Sequence, residues 1–499
     1  MFFISYRYIK TYEKLVISYA DEAASKNPTR FLELPNCFSI CSQLEALIAY
    51  YRKPKHDKIR ACMKTRTIIK ILGTYTIPNV ISMWVFTLYT MVDGIFVSRC
   101  IGAAALAGVN VALPFINGMF SIAIMIGVGS STLIAIAFAE HKYQEGNRLF
   151  TLASIMNITA ALCTSVLIYM HIDAIIRLLG IQPPDQVYPF IKDYLATIIL
   201  FSVFYMSGYA FEIYIKVDGK PIYPLLCVIA GAITNIVLDY RYIVIHSYGV
   251  RGAAFATGIA QIVTCSLLLC YLLFKARFIH FTKLPVSYAK HSITIVKTGI
   301  AEFITEISSG LLLFIYNYVI LNIIGISGVS QFGVISYITA FITMTMIGFG
   351  QGIQPVMSFL FGKKDFKSLQ KILYFSLIFI AALGILAYGL VNCFASAIGI
   401  LFFAHTNNGS EVTTVLHIYS LAYIIMGINI FITSFFTAVK KVRYSVCITL
   451  VRGLVCNVLF LFIVPRFIGE TGIWISAFLS ELGALCLSLY LLKRAKQVC

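Results

Sequence analysis

Two aspartates lie within stretches of sequence that are otherwise apolar. Asp93 follows the run Ile71–Val92, and Asp239 follows the run Tyr223–Leu238. Each run is close to the roughly 20 residues that an α-helix needs to cross a bilayer. A carboxylate at that depth is energetically costly, so it usually faces a bundle interior or water and handles ions or protons. The two acids therefore indicate transport across a membrane rather than chemistry in solution.

Neutral oxygen-bearing side chains accompany the two acids. Asn235 lies one helical turn before Asp239, Thr257 lies at a similar depth in the following span, and Tyr89 lies one turn before Asp93. Two carboxylates, an amide oxygen and a hydroxyl are suitable ligands for a hard monovalent cation, and they suit a proton equally. We therefore predict that these five residues form a cation- or proton-binding site, with sodium as the only metal considered.

Two simpler explanations of the acids stay open at this point. Asp93 could cap a helix end near the membrane interface, and Asp239 could form a local ion pair with Arg241. Pro78 lies within the first span, where proline removes a backbone hydrogen bond and bends a helix. We predict a hinge at Pro78 that moves Asp93 between two positions.

The composition is that of a polytopic membrane protein. Of 499 residues, 59% are hydrophobic and 12% charged, with a mean hydropathy of +0.87, whereas a soluble domain is about half apolar and about a quarter charged. The net charge of +18 does not indicate nucleic-acid binding, because the basic residues gather in short connectors between spans. The thirteen cysteines show no spacing typical of disulfides or zinc. We expect a monomer whose partners are small molecules and the lipid bilayer, with no nucleic acid and no cofactor.

The apolar runs predict twelve membrane-spanning helices. They cover residues 70–97, 104–138, 148–170, 187–212, 221–245, 250–274, 295–322, 331–360, 369–392, 411–438, 444–465 and 471–492. An even number places both termini on one side of the bundle. That side, which we call the basic face, carries the connectors 142–148, 216–220, 275–297, 363–371 and 440–443. Because basic loops stay in the cytoplasm, we expect both termini to be cytoplasmic.

The spans form an internal repeat. Gly127 and Gly129 recur as Gly350 and Gly352 at an offset of 223 residues, and Asn235 recurs as Asn457 at an offset of 222, each with a glycine four residues earlier. The fold class is therefore an all-α polytopic membrane protein with two six-helix lobes related by a parallel repeat. We divide the chain into an N-lobe (63–274), a basic connector (275–294) and a C-lobe (295–499).

The repeat shows that the two lobes differ in function. Asp93 corresponds to Tyr316 and Asp239 to Leu461, so both acids are additions to the N-lobe. We assign four further residues to a substrate cavity between the lobes: Glu212, Glu302, Glu306 and Tyr316. Solvation near the membrane interface remains an equal alternative for the three glutamates.

At these residues the chain resembles the MATE family of multidrug and toxic-compound extrusion antiporters, and its bacterial members most. The likeness extends over residues 63–499 and rests on three blocks: Pro78 with Tyr89-x3-Asp93, Gly219-Lys-Pro221 followed by Asn235-x3-Asp239, and Gly249-Val-x-Gly-Ala-Ala254 with Thr257. The resemblance implies twelve helices, a V-shaped cavity and export of organic cations against inward sodium or proton flow. It also implies that Asp93, Asn235, Asp239 and Thr257 form the first lobe's ion site, and that the protein lies in a bacterial inner membrane.

One departure from the family pattern lies in the seventh span. Family members often have proline where Ala301 stands, and some have a functional acid near the position of Ser309. This chain has Glu302 and Glu306 instead, so the resemblance does not imply an ion site in the C-lobe.

The function we predict is secondary active export of lipophilic, cationic small molecules. The alternative is a lipid-linked oligosaccharide flippase of the same superfamily, which should line its cavity with basic residues that bind pyrophosphate. Arg452 alone lies clearly within a span. An enzyme is not expected, because no histidine pair has metal spacing and no nucleophile motif occurs in a polar loop.

Residues 1–62 differ in character from the rest of the chain. They contain no span-length apolar run and no signal-peptide pattern, and the change falls at Met63. They are either a cytoplasmic extension or upstream sequence included by too early a start codon, and the position of the break favours the second.

A chain that starts at Met63 should insert and export normally, because the first span and its basic flank remain intact. Membrane abundance and export of the two forms, compared in the same cells, check this. Loss of insertion in the shorter form would contradict it.

Overall fold

The computed structural model describes residues 65–178, 180–403 and 408–496, and the predicted extension 1–62 lies outside them. Within the described residues, twelve helices are long and apolar enough to cross a membrane, which confirms the predicted number of spans. They are α1 (Thr65–Cys100), α2 (Ala103–Ala139), α3 (Tyr143–Leu178), α4 (Tyr188–Val217), α5 (Ile222–Ile245), α6 (Gly249–Phe274), α7 (Val286–Ile323), α8 (Ser327–Gly362), α9 (Phe366–Ile400), α10 (Glu411–Ala438), α11 (Val442–Ile468) and α12 (Glu470–Ala495). Most extend a few residues beyond the predicted ends, because a helix continues past its apolar run into the polar interface.

The same turn opens the second helix of each lobe. Gly102 precedes α2 with φ 128°, and Gly325 precedes α8 with φ 94°. Residues with a Cβ rarely adopt such positive φ values, so glycine is needed at both turns. The repeated Ile-Gly pair in the sequence therefore encodes a repeated backbone reversal.

The two lobes meet through close backbone contacts between α2 and α7 and between α8 and α1. A Cβ on Gly299 would overlap the backbone carbonyl of Met125, and a Cβ on Gly129 would overlap that of Ile295. In the other pair of helices, a Cβ on Gly352 would lie 2.7 Å from the carbonyl oxygen of Tyr75. These contacts lie in the basic-face half of the helices. We call them the seal, because they close the space between the lobes at the basic face.

The connector between the lobes is fixed to the N-lobe by Asp218, which follows α4. Its carboxylate accepts hydrogen bonds from the backbone N–H groups of Phe278 (2.8 Å) and Arg277 (3.1 Å) and from the Tyr271 hydroxyl (2.8 Å). The helical part of the C-lobe then begins at Val286, earlier than the predicted residue 295, with a short 3₁₀ turn that follows Pro285.

Replacing Gly299 by alanine should loosen the seal, because the new methyl group meets the backbone of α2. Overpacking of this kind costs about 1–3 kcal/mol. We expect a lower melting temperature and faster amide hydrogen exchange in residues 125–139 and 291–302.

Gly310→Ala is the matched control, because Gly310 lies on the same helix and a Cβ there meets nothing within 4 Å. This variant should melt like the wild type. Equal behaviour of the two variants would show that α2 and α7 do not depend on close contact at Gly299.

Candidate functional site

The two N-lobe acids lie on helices that pack against each other, and α6 packs beside them. Asp93 is in the last third of α1, and Asp239 is the last residue of α5 before a π-helical turn, Tyr240–Ile245. Because α1 and α5 both start at the basic face, both acids lie nearer the opposite face. π-Helical turns inside membrane helices occur frequently at functional sites.

Both acids are buried and carry oxygens without partners. Asp239 is fully buried and neither of its carboxylate oxygens has a hydrogen-bond partner in the described structure; the same holds for Oδ1 of Asp93. The two carboxylates lie close enough to interact electrostatically. The ion pair of Asp239 with Arg241 is therefore not formed. Asp93 caps no helix end, since α1 continues to Cys100.

The neutral residues complete the site in different ways. Asn235 donates its amide to the Thr257 hydroxyl (3.3 Å), which leaves Asn235 Oδ1 buried and unpaired beside the acids. Tyr89 accepts a hydrogen bond from Gln261 (3.1 Å) and interacts with both carboxylates. The structure thus brings all five predicted residues to one place, and it adds Gln261.

The chemistry of this donor set fits a monovalent cation or a proton. Four buried oxygens without partners belong to Asp93, Asn235 and Asp239, and unpaired buried oxygens are energetically costly unless a cation or a proton satisfies them. Among the described residues, no group of three or more His, Cys, Asp and Glu side chains could hold a metal ion. A transition-metal site is therefore not indicated in this part of the chain.

Tyr194 of α4 is a site residue that the sequence did not indicate. It is buried and lies close to both Asp93 and Asp239. Tyrosines are frequent in this chain, and no spacing connects α4 with α1 or α5, so no sequence signal marked this residue.

A cavity of about 840 Å³, part of it open to solvent, lies beside the ion site between the lobes. Its wall is aromatic: Phe86, Tyr89, Phe120, Tyr205 and Tyr209. The ring of Phe120 lies 4.9 Å from that of Tyr205 and 4.8 Å from that of Tyr209, centre to centre. Aromatic faces attract cations, most strongly where water is excluded.

Two carboxylates also line this cavity, Glu212 from α4 and Glu306 from α7. Glu302 is buried one turn from Glu306, close enough to interact with it, and its Oε1 has no partner in the described structure. The alternative of solvated interfacial acids does not hold for Glu212 or Glu302, because both are buried. The N-lobe side of this cavity carries a feature that the sequence interpretation missed, since Glu212 forms a buried ion pair with Lys216 (2.8 Å).

Tyr316 lies elsewhere, inside the C-lobe and outside the lining of this cavity. It donates to Asn457 Oδ1 (3.3 Å) and stacks on Phe332. Its repeat equivalent, Asp93, is also in a lobe interior, so the repeat position itself points inward rather than into the cavity. Pro78 is buried inside α1, which continues through it as one helix.

The C-lobe holds a second polar group that the sequence indicated only through Arg452. Arg452 Nε forms an ion pair with Glu481 Oε1 (2.8 Å), and Asn429 donates to Glu481 Oε2 (2.8 Å). Ser488 in turn donates to Asn429 (3.0 Å). These groups satisfy one another, in contrast to the unpaired oxygens of the N-lobe.

The family model MatE matches residues 78–241 and 301–463 of this chain, one block in each lobe. Among curated relatives, the "Multidrug export protein MepA" of Staphylococcus saprophyticus is 20% identical over 426 residues, which cover 83% of this chain and 91% of the relative. The protein of the same name from Staphylococcus aureus strain MRSA252 is 21% identical over 422 residues, with the same coverage.

Solved structures of the same fold cover nearly the whole described chain. An outward-facing multidrug resistance MATE family transporter of the MOP superfamily superposes with a TM-score of 0.80 at 20% identity, covering 88% of this chain and 98% of that one. A mutant of the Vibrio cholerae MATE transporter VcmN gives a TM-score of 0.82 at 17% identity, covering 87% and 98%. The all-helical fold with two six-helix lobes is therefore confirmed.

The contrast between unpaired and paired acids predicts different effects on stability. Asp239→Asn should leave the melting temperature of the purified protein nearly unchanged, because the carboxylate makes no hydrogen bond that could be lost. Glu481→Gln should lower it, because Arg452 would keep a buried charge without its counter-charge, which costs about 3–5 kcal/mol. Thermal melting in one detergent compares the two. A larger drop for Asp239→Asn would show that Asp239 is a structural residue.

Proposed function

The chain belongs to the MatE family of membrane transporters, and from this premise we propose that it exports lipophilic cations, driven by inward flow of sodium ions or protons. The observation that carries the proposal is the cavity, where an aromatic wall stands beside Glu212 and Glu306. Rings and carboxylates together bind a flat or bulky cation without requiring one particular shape. The curated relatives are named multidrug export proteins, which agrees with this cargo class.

We place the basic face in the cytoplasm, in a bacterial inner membrane, because the basic connectors gather there. The seal closes the cavity on that side. In this conformation, cargo bound between the lobes is therefore separated from the cytoplasm, as expected for the releasing state of an exporter. Return to the loading state requires the glycine contacts to part.

The ion site and the cargo cavity share Tyr89. This residue interacts with Asp93 and Asp239 on one side and lines the cavity on the other, where Gln261 also contributes to the wall. A cation or proton that binds the two acids changes the charge next to Tyr89, and with it the affinity of the cavity for a positive cargo. Coupling between the two sites thus needs no long pathway. Bending at Pro78 would move Asp93 during the cycle.

The alternative function, a flippase for lipid-linked oligosaccharides, receives less support. A pyrophosphate group needs Arg or Lys side chains at its binding site. The lining of the cavity described above contains carboxylates and no Arg or Lys. Arg452, the basic residue that kept this alternative open, is paired with Glu481.

Transport by the purified protein in lipid vesicles tests the proposal directly. Sodium and proton gradients are imposed separately, and movement of ethidium, an aromatic cation, is followed by fluorescence. Gradient-driven movement supports cation export and identifies the coupling ion. Movement of a lipid-linked pyrophosphate instead, with none of ethidium, would support the flippase.

Asp93→Asn and Asp239→Asn should each abolish gradient-driven export while membrane abundance stays intact. Neither amide exchanges a proton, and each contributes one less charge to a bound cation. The double variant should be no worse than either single one, because residues that act as a unit are not additive. Asn235→Ala and Thr257→Ala should weaken coupling more mildly, since each removes one neutral ligand.

The double variant Glu302→Gln, Glu306→Gln is the comparison for the second lobe. It should change the affinity for cargo while the gradient still drives export. If this variant loses gradient dependence and Asp93→Asn keeps it, the driving ion binds in the C-lobe and the assignment is wrong.

A further inference from the structure

Lys216 is a buried lysine near the basic-face end of α4, with 3% of its surface exposed. Its Nζ donates to Glu212 Oε1 at 2.8 Å and also to Asn79 Oδ1 on α1. A buried ammonium group needs a counter-charge, since transfer of an unpaired charge out of water costs several kcal/mol. In this conformation Glu212 supplies that counter-charge.

Asn79 connects this ion pair to the opposite lobe. It is buried beside Pro78, and its amide donates to the backbone carbonyl of Gly348 on α8 at 2.6 Å. The contact is tight, because a Cβ on Gly348 would lie 3.1 Å from the Cα of Val80. The amide of Asn79 is held in this orientation because its oxygen accepts from Lys216.

Glu212 is therefore one end of a continuous chain of contacts. Its carboxylate lines the cavity, Lys216 binds it from the basic-face side, and Asn79 carries the chain across to Gly348 in the seal. A cationic cargo in the cavity and Lys216 approach the same carboxylate from two sides. One carboxylate in a buried site cannot neutralise two cations at once.

We propose that Lys216 competes with cationic cargo for Glu212, and that this competition couples closure of the seal to release of cargo. The inference rests on the proposed function and deepens it. When the lobes part at the basic face, water reaches Lys216, which then needs no carboxylate, and Glu212 is free to bind cargo. When the seal closes, Lys216 is buried again, takes Glu212 as its counter-charge and displaces the cargo.

The repeat supports a role confined to the N-lobe. Asn79 corresponds to Glu302, and Lys216 corresponds to Ala438 at the offset of 222 residues. The C-lobe therefore keeps the position of Asn79 at the seal but has no lysine at the equivalent of Lys216. Nothing in the shared scaffold requires a buried amine there, which favours a specific function for it.

The first experiment measures equilibrium binding of ethidium to the purified protein in lipid nanodiscs. Lys216→Met should bind ethidium roughly tenfold or more tightly, because a hydrogen-bonded charge that competed for Glu212 is gone. Lys216→Gln should do the same, and it keeps donors for Glu212 and Asn79 should the methionine variant fold poorly. Lys216→Arg should bind like the wild type, and Glu212→Gln should bind more weakly.

Thr76→Val is the matched control for these variants. Thr76 is buried on α1 near Asn79, but its hydroxyl bonds only within the helix, to Leu72 O. It should leave ethidium binding unchanged. Unchanged affinity in Lys216→Gln would overturn the proposal, and so would an equal gain in Thr76→Val. No binding to the wild type and to Lys216→Gln alike would overturn both the competition and the cargo class.

The second experiment measures the distance between the lobes at the basic face. Spin labels attached through non-canonical amino acids replace Lys142 and Lys440, which are exposed in connectors of the two lobes. Ethidium should increase the population with the longer distance in the wild type, because cargo on Glu212 opposes closure. It should have no such effect in Glu212→Gln. A shift of equal size in both proteins would show that Glu212 does not couple cargo to the seal.

Transport kinetics complete the test. Lys216→Gln should lower both KM and kcat for export, because cargo binds more tightly and leaves more slowly. Lower kcat with unchanged KM would indicate a merely structural role for Lys216 and contradict the competition. If the vesicles show no gradient-driven export but the binding and distance results hold, the proposed driving force fails and the competition stands.

Discussion

The close approach of two helix pairs, α2 with α7 and α8 with α1, is the constraint on which the other features depend. At Gly129, Gly299 and Gly352 the backbone of one lobe lies where a Cβ would otherwise be. This approach closes the cavity at the basic face, brings Glu306 of α7 opposite the aromatic wall of the N-lobe, and places Asn79 against Gly348. Because the contacts consist of backbone and hydrogen, they can part without removing large side chains from a packed core.

The lobes share a scaffold but differ in how their polar groups are satisfied. The N-lobe keeps Asp93 and Asp239 buried with unpaired oxygens, whereas the C-lobe pairs Arg452 with Glu481 and supports the pair with Asn429. A group without a partner responds to the arrival of an ion, while a satisfied network resists rearrangement. The N-lobe is accordingly the part of the molecule that an ion can reorganise.

Much of the fold followed from the sequence because membrane spans are governed by length and hydropathy, which are local properties. The twelve helices, the repeat and the depth of Asp93 and Asp239 all depend on such counting. The start of α7 was misplaced because the helix begins at Val286 within a polar connector. Tyr316 was assigned to the cavity, although its repeat position faces a lobe interior.

The contacts that were missed depend on how helices rotate about their axes. Glu481 and Tyr194 reach their partners across helices, and no spacing in the chain shows which faces meet. Lys216 is different, because it follows Glu212 by four residues, a spacing that places both side chains on one helix face. That signal was present in the sequence. It marked an ion pair, but its connection through Asn79 to the other lobe required the structure.

The ion pair between Arg452 and Glu481 bears on how the chain enters the bilayer. An isolated helix with arginine near its centre inserts at a cost of about 2.5–3.5 kcal/mol. The two residues belong to consecutive helices, α11 and α12, which are separated by a single residue, Gly469. The two helices can therefore enter the membrane as one hairpin in which the charges already neutralise each other. The short turn between them makes biogenesis of this last hairpin independent of the ten helices that precede it.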